Sequence, residues 1–479
     1  MTEQEVIETE NEVTAESMDA WKTLESIVEA QDSDAAHDFL KTLPPGETVR
    51  VITQLSEPEQ LAFVDVLEAR DAATLMETLP ELQAAQILSA LPAEQVAQIF
   101  HELDSDDQVD LLEQLSGDQS EAILEEMPEK EAENVRFLAQ YDKDCAGGLM
   151  NMEYLAYRDN LFVDDVLGDL RKYADEYASY NVQYIYVVRA QEGAEEADLA
   201  GDSEGQLVGV LPLRDLVLAR KQKRISDLMI SDPLSVSDSM PLNDLKHLFD
   251  TRPLFGLPVV DADGMLVGVV RRSDMEEASE EQAGRTFLKF AGILGGEELR
   301  SLPLSVRSAR RLSWLSLNIV LNVVAASVIA MYEETLAAVI ALAVFLPMVS
   351  DMSGCSGNQA VAVSTRELVL GVIRPRDWLY VFRKEFALGV VNGIALGILL
   401  GIVAWIWKGM PALGLVVGGA LAANTLVAVC LGSLIPLTLK GIKLDPALAS
   451  GPILTTLTDM CGFFLVLSFA QLMLPWLVG

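Results

Sequence analysis

Cysteine is scarce. Cys145, Cys355, Cys430 and Cys461 lie far apart, with no C-x-x-C pair among them. That spacing excludes both a zinc framework and a disulfide scaffold. Positive charge is also in short supply, with 34 Lys and Arg against 72 Asp and Glu, for a formal net charge of −38. Such a chain is a poor partner for nucleic acid and a good one for cations. The opening residues, "MTEQEVIETENEV", offer no basic start and no apolar run, so they do not read as a signal peptide. The first 300 residues are therefore expected in the cytoplasm.

The acidity is confined to one part of the chain. Residues 311–479 carry 9 basic and 8 acidic side chains, whereas residues 1–310 carry 25 and 64. A nearly neutral apolar third is thus joined to a strongly acidic soluble part.

Within that soluble part, Leu43, Leu55, Leu67, Leu79, Leu91, Leu103, Leu115 and Met127 recur every twelve residues. Most are followed by a helix-start signature such as "SEPEQ", "PAEQ", "DSDDQ" or "SGDQ". Each unit reads as a turn and a helix of about eight residues, too short to be stable alone. Stacked units would form a helical superhelix with one continuous core.

A second repeat follows. Residues 149–170 align with 228–249 at an offset of 79, with Leu161, Val163 and Val166 matching Met240, Leu242 and Leu245. Each copy leads into a strand–turn–strand–helix pattern, and "DADG" supplies the tight turn of the second. This pair resembles tandem CBS domains. The first copy's hairpin carries an acidic insert, "QEGAEEADLAGDSEG". Nucleotide-binding CBS pairs carry Ser or Thr three positions before the Asp of their last turn. Here those positions hold Pro212 and Arg271, so a nucleotide lacks its expected hydroxyl, although Arg271 could meet a phosphate.

Residues 279–311 read as a connecting helix. Apolar spans follow at about 312–331, 335–350, 386–407, 411–439 and 446–478. The second is short and interrupted by "LPMVSDMSGCSGNQAVAV", where small and polar residues suggest a break. Basic residues cluster between spans two and three and between spans four and five. The positive-inside rule then puts the N-terminus in the cytoplasm and the C-terminus outside the cytoplasmic membrane. One acid, Asp459, lies mid-span, with no basic residue in the interior of any span. Burying an ionised carboxylate there costs about 2.5–3.5 kcal/mol on insertion scales, so a functional role is its default reading. Asn318, Asn322 and Asn424 read as formers of interhelical hydrogen bonds.

These parts, in this order, resemble the MgtE magnesium channel/transporter family over nearly the whole chain. The family's G-G-N-x-G-N-Q appears as "SGCSGNQ", Ser353 to Gln359. Its last span appears as "LDPALASGPILTTLTDMCGFF". The resemblance implies a multidomain membrane protein rather than an enzyme, with residues 1–35 as an acidic segment. A helical superhelical domain (36–144) and tandem α/β CBS domains (145–222 and 223–282) would follow. A connecting plug helix (283–311) would lead to a five-helix, all-α pore domain (312–479). It also implies a homodimer in the bilayer whose pore passes Mg2+. Asp459, Asn358, Gln359, Gly357, Asp351 and Asp445 are the expected pore and metal residues, with backbone carbonyls of the break beside them. Cys355 and Gly451 stand where the family usually has Asn.

The family closes when intracellular Mg2+ bridges acids between its cytosolic parts. Asp274 and Glu277 match acidic positions of the family, and Glu276, Glu280 and Glu281 share their stretch, 273–282, between the second CBS copy and the connecting helix. These five are the expected regulatory metal residues, making Mg2+ both substrate and regulatory ligand. An ion-coupled Mg2+ antiporter and a membrane-anchored sensor are the competing readings.

Overall fold

The computed structural model describes residues 23–24, 26–174, 177, 180, 182–189, 205–293, 300 and 304–478. The first 22 residues of the acidic segment and residues 191–204 of the hairpin insert lie outside them. The chain divides into two compact units, residues 1–281 and 282–479.

Among the described residues, nine helices begin at twelve-residue intervals: α1 (Ser33–Thr42), α2 (Pro45–Gln54), α3 (Glu57–Val64), α4 (Ala69–Thr78), α5 (Glu81–Ser89), α6 (Ala93–Phe100), α7 (Ser105–Gln114), α8 (Gly117–Glu126) and α9 (Glu129–Leu138). Repeated local chemistry sets this period. Pro44, Pro80, Pro92 and Pro128 stand just before a helix, where a missing N–H costs nothing. Ser56 and Ser116 form capping boxes with Glu59 and Gln119. The periodic Leu43 to Met127 set then closes the helices, and all eight members lie in or against one hydrophobic core. Side-chain amides serve carbonyls at the helix ends: Gln108 donates to Phe100 O at 2.7 Å and to Leu103 O at 2.8 Å.

The first CBS copy contains β1 (Leu155–Arg158), α10 (Val163–Lys172), β2 (Tyr184–Arg189), β3 (Gln206–Pro212) and α11 (Leu213–Leu218), with β4 (Ile230–Ser231) on its edge. The second contains β5 (Val236–Ser237), α12 (Leu242–Thr251), β6 (Gly256–Val260), β7 (Leu266–Arg271) and α13 (Arg272–Phe290). Helices α10 and α12 are displaced by the expected 79 residues at both ends. In each copy the first strand runs parallel to the second, which pairs antiparallel with the third. The copies trade their flanks. Residues 146–151 bond to the second copy, through Ala146 N to Met240 O at 2.8 Å and Asn151 N to Val269 O at 3.0 Å. Residues 223–231 bond to the first, where Ile225 is fully buried and Ile230 pairs with Val210. A division at 222/223 therefore cuts through the first copy.

The connecting helix is not continuous from 283 to 311. Helix α13 ends at Phe290 and the chain turns at Gly292, whose φ of +80° favours glycine. Residues 304–311 instead open α14 (Leu304–Ala330). Then come α15 (Glu333–Ala338), α16 (Leu342–Val369), α17 (Trp378–Lys408), α18 (Pro411–Gly441), α19 (Pro446–Leu472) and α20 (Leu474–Val478). By length and composition, four described helices can cross a membrane: Leu304–Ala330, Pro375–Lys408, Pro411–Gly441 and Ser450–Leu472. Helix α16, at 28 residues, is long enough to be the fifth.

The expected short span at 335–350 and the break after it are both absent. Helix α16 continues through Ser353–Gln359, and Pro347 lies inside it. Glycine and serine look like loop formers, but a backbone opened at membrane depth would leave costly unpaired groups. Whatever this motif offers a ligand must come from side chains.

Candidate functional site

The membrane unit sorts the side chains of α16 by face. Ser353, Gly357, Ala360, Val361 and Ser364 are buried against the unit, while Asp351, Cys355, Asn358 and Gln359 are exposed. The spacing of the exposed set, i, i+4, i+7 and i+8, makes one stripe on one side of a helix.

Beside that stripe stands Asp459 of α19, half-buried and accepting a hydrogen bond from Ser350 Oγ. Asn424 of α18 is wholly buried, and its Nδ2 donates to Ser353 Oγ at 2.6 Å and to Thr458 O at 3.0 Å. One amide thereby fixes three helices around the carboxylate, as expected for an interhelical bond former. Asn318 differs, bonding Trp314 O of its own helix at 2.9 Å.

Two expected pore residues also make structural contacts. Gly357 packs helices, since a Cβ there would meet Leu454 Cδ2 at 2.9 Å and Ala428 O at 3.0 Å. Asp445 caps α19, accepting from Ala447 N at 2.9 Å, and pairs with Lys289 Nζ at 2.9 Å. It sits fourteen residues before Asp459, about 21 Å along a helix, so the two carboxylates do not share a site. Gly357→Ala is expected to cost about 1–3 kcal/mol by overpacking. Gly354→Ala, with nothing nearer than Thr458 Oγ1 at 3.9 Å, should leave the melting temperature in detergent unchanged.

The first unit, residues 1–281, holds a second cluster. Asp104 precedes α7, and Asp106 and Asp107 lie in its first turn; one ligand oxygen from each falls within 4.8 Å of the others. Negative charge suits a helix N-terminus, but three carboxylates so close repel. Burial, then Asp107, Asp274, Asp104 and Glu153, push Asp106 well above the usual carboxylate range. Burial, then Glu77, Asp104 and Glu277, raise Asp107 to about 8. Burial, then Asp104 and Glu277, raise Glu77 to about 7. The Oδ1 of Asp106 is buried without a hydrogen-bond partner. Oxygen-rich, and only partly balanced by Arg271 at Asp104, this set suits a hard divalent cation.

Asp274 and Glu277 of the expected regulatory set act on this cluster, and the sequence reading missed its other members: Glu77, Asp104, Asp106 and Asp107 of the N domain, and Glu153, which follows that domain. The signal was present in "DSDDQ", three acids in four residues, which reads first as a helix start. Glu276 is exposed and faces Arg272 at 3.5 Å instead. Glu280 and Glu281 are exposed on later turns of α13, with Glu280 acting on Glu277. Nearby, Lys143 Nζ gathers Asp110 (2.6 Å), Glu81 (3.3 Å) and Glu113 (3.4 Å).

Comparison with known proteins decides the lineage. A model of the MgtE divalent cation transporter matches residues 346–469, one of the MgtE intracellular N domain matches 43–144, and one of the CBS domain matches 225–281. The chain is 34% identical to the magnesium transporter MgtE of Thermus thermophilus over 349 residues, covering 72% of this chain and 74% of that protein. It is 31% identical to the magnesium transporter MgtE of Bacillus subtilis, covering 71% and 72%. A crystal structure of the soluble part of a magnesium transporter aligns with 56% of this chain and 99% of its own, at 22% identity and a TM-score of 0.48. The chain belongs to the MgtE family.

The CBS cleft of this chain is small. The cavity lined by Tyr154, Tyr184, Tyr186, Phe255 and Arg271 is about 30 Å³, and Arg271 pairs with Asp104 rather than facing it free. The geometry thus leaves a nucleotide little room.

Two outcomes follow from the sites of this MgtE chain. Thiol reagents added from the aqueous side should modify exposed Cys355 before half-buried Cys461 and buried Cys430, with Mg2+ slowing the reaction; mass spectrometry of labelled peptides checks both. The raised carboxyls also set a pH dependence. Their favourable contribution to the packed form is complete below about pH 4, the ordinary carboxylate range, and is lost as pH rises through about 7 and 8. Without divalent ions, protection factors at 104–110 and 271–277, corrected for the intrinsic rise of amide exchange by about tenfold per pH unit, should be higher at pH 5.5 than at pH 8. Mg2+ should narrow that difference, because its binding displaces protons.

Proposed function

We propose that this chain conducts Mg2+ across the cytoplasmic membrane through a pore formed by two copies, closed by intracellular Mg2+ on the acidic cytosolic cluster. The stripe of Asp351, Cys355, Asn358 and Gln359 beside Asp459 carries this reading. Polar side chains on the outside of a membrane helix are costly against lipid and acceptable against water or protein. A second copy placing the same stripe opposite would enclose a polar path by two-fold symmetry. Mg2+ gives up water reluctantly and binds through few carboxylates, so two Asp459 side chains and surrounding amides suit a hydrated ion. The relatives named magnesium transporters support this cargo. Positive-inside bias puts the N-terminus in the cytoplasm and the C-terminus outside.

The antiporter reading has less to stand on, since apart from Asp351, Asp445 and Asp459 few acids lie in or next to the spans, and Asp445 is engaged as a cap. Flux into proteoliposomes separates the two readings. A channel passes Mg2+ down its own gradient alone, whereas a requirement for an imposed proton or sodium gradient would overturn the proposal.

A further inference from the structure

We propose that Arg271 is a cation built into the acidic cluster, holding the N-terminal helices against the second CBS copy without metal. The proposal rests on the sensor reading above but makes a separate demand: one positive charge in the cluster belongs to the chain.

The placement is specific. Arg271 is the last residue of β7, three before Asp274, and its side chain is 15% exposed. Its Nη1 donates to Asp104 Oδ2 at the start of α7, and its backbone N–H donates to Asp274 Oδ2 at 3.3 Å. Asn151 Nδ2 donates to that same oxygen at 3.2 Å. The guanidinium therefore links a carboxylate of the helical domain to the turn of the CBS copy that carries another. The neighbouring Arg272 is differently engaged, bonding the carbonyls of Phe249 (2.6 Å), Arg252 (2.9 Å) and Leu254 (2.9 Å) within its own copy.

The side-chain type matters. A guanidinium stays charged at every accessible pH and offers its donors in a flat fork, so it can sit among carboxylates without losing its proton. A buried pair of this kind holds only while both partners remain, because removing one strands the other's charge. One cation does not neutralise Glu77, Asp104, Asp106, Asp107, Glu153, Asp274 and Glu277. Arg271 instead lowers the repulsion enough for the two parts to remain in contact, and mobile divalent ions complete the balance.

The test uses the full-length protein in nanodiscs at low ionic strength with chelator. Hydrogen exchange is followed at residues 104–114 and 271–281. Arg271→Gln should lose the metal-free protection and need about tenfold more Mg2+ to regain it, while Arg271→Lys keeps part of it. The charge swap Asp104→Arg with Arg271→Asp should restore protection, showing that charge and not folding was lost; unchanged exchange in residues 155–172 checks the rest of the unit. Wild-type protection in Arg271→Gln without metal would overturn the proposal. So would failure of the swap to rescue a variant whose residues 155–172 remain protected. The sensor reading is judged separately. If Mg2+ leaves the wild type unchanged while Arg271→Gln opens it, the sensor fails and the built-in cation stands. If Mg2+ compacts both at one midpoint, the built-in cation falls and the sensor stands.

Discussion

Mg2+ flux through Asp459→Asn protein should fall to the level of empty vesicles. The substitution keeps the shape of the side chain and one oxygen for the Ser350 hydroxyl, so the packing around Asn424 has no reason to change. What it deletes is negative charge, and in the proposed two-copy pore it deletes two charges from one path. At membrane depth, where water is scarce, that loss is felt far more than at an exposed surface. Asp445→Asn provides the contrast. It removes the pair with Lys289, half-exposed on both sides and therefore worth about 1 kcal/mol or less, and it should leave flux within a few-fold of wild type. Tracer uptake, normalised to protein inserted in the vesicle, measures both. Wild-type uptake by a correctly inserted Asp459→Asn protein would remove Asp459 from the ion path.

The contrast between these two aspartates also shows where sequence reading succeeds. Both belong to one motif, and the mid-span charge was legible because membrane cost depends on depth, which hydropathy reports directly. The role of Asp445 depends on Lys289, 156 residues away, and no periodic pattern carries that. The same division runs through the fold. Helix starts at twelve-residue intervals, and the 79-residue offset between α10 and α12, come from caps, prolines and apolar spacing within a few residues. The uninterrupted α16 could not be read that way. Its helical state is supported by long-range contacts, Asn424 bonding Ser353 and Leu454 and Ala428 packing at Gly357, which local sequence does not report. Likewise "DSDDQ" is a helix start by local chemistry, and becomes an acidic cluster only when Glu77, Asp274 and Glu277 are brought to it by the tertiary fold.

Removing residues 1–278 should leave a protein that conducts at low Mg2+ and no longer closes at high Mg2+. The full chain should close by at least tenfold between 0.1 and about 10 mM. Moving a two-state gate from nearly all open to nearly all closed takes about 5.5 kcal/mol of differential binding. No single exposed carboxylate pair supplies that, so several weakly bound ions must act together, and the closing curve should be steep. Repulsion among Asp104, Asp106, Asp107, Asp274 and Glu277 is what those ions would relieve. Two manipulations therefore move the gate in opposite directions. Deleting the cytosolic part removes what Mg2+ acts on and leaves the pore open. Neutralising it, with Asp107→Asn and Glu277→Gln together, removes repulsion in place of the ion and should hold the pore closed even at 0.1 mM. Uptake measured against Mg2+ concentration for the three proteins distinguishes these curves. A truncated protein that still closes would put the gate in the membrane helices themselves. A doubly neutralised protein that stays open at every concentration would mean that Mg2+ closes the pore by bridging specific ligands and not by relieving charge.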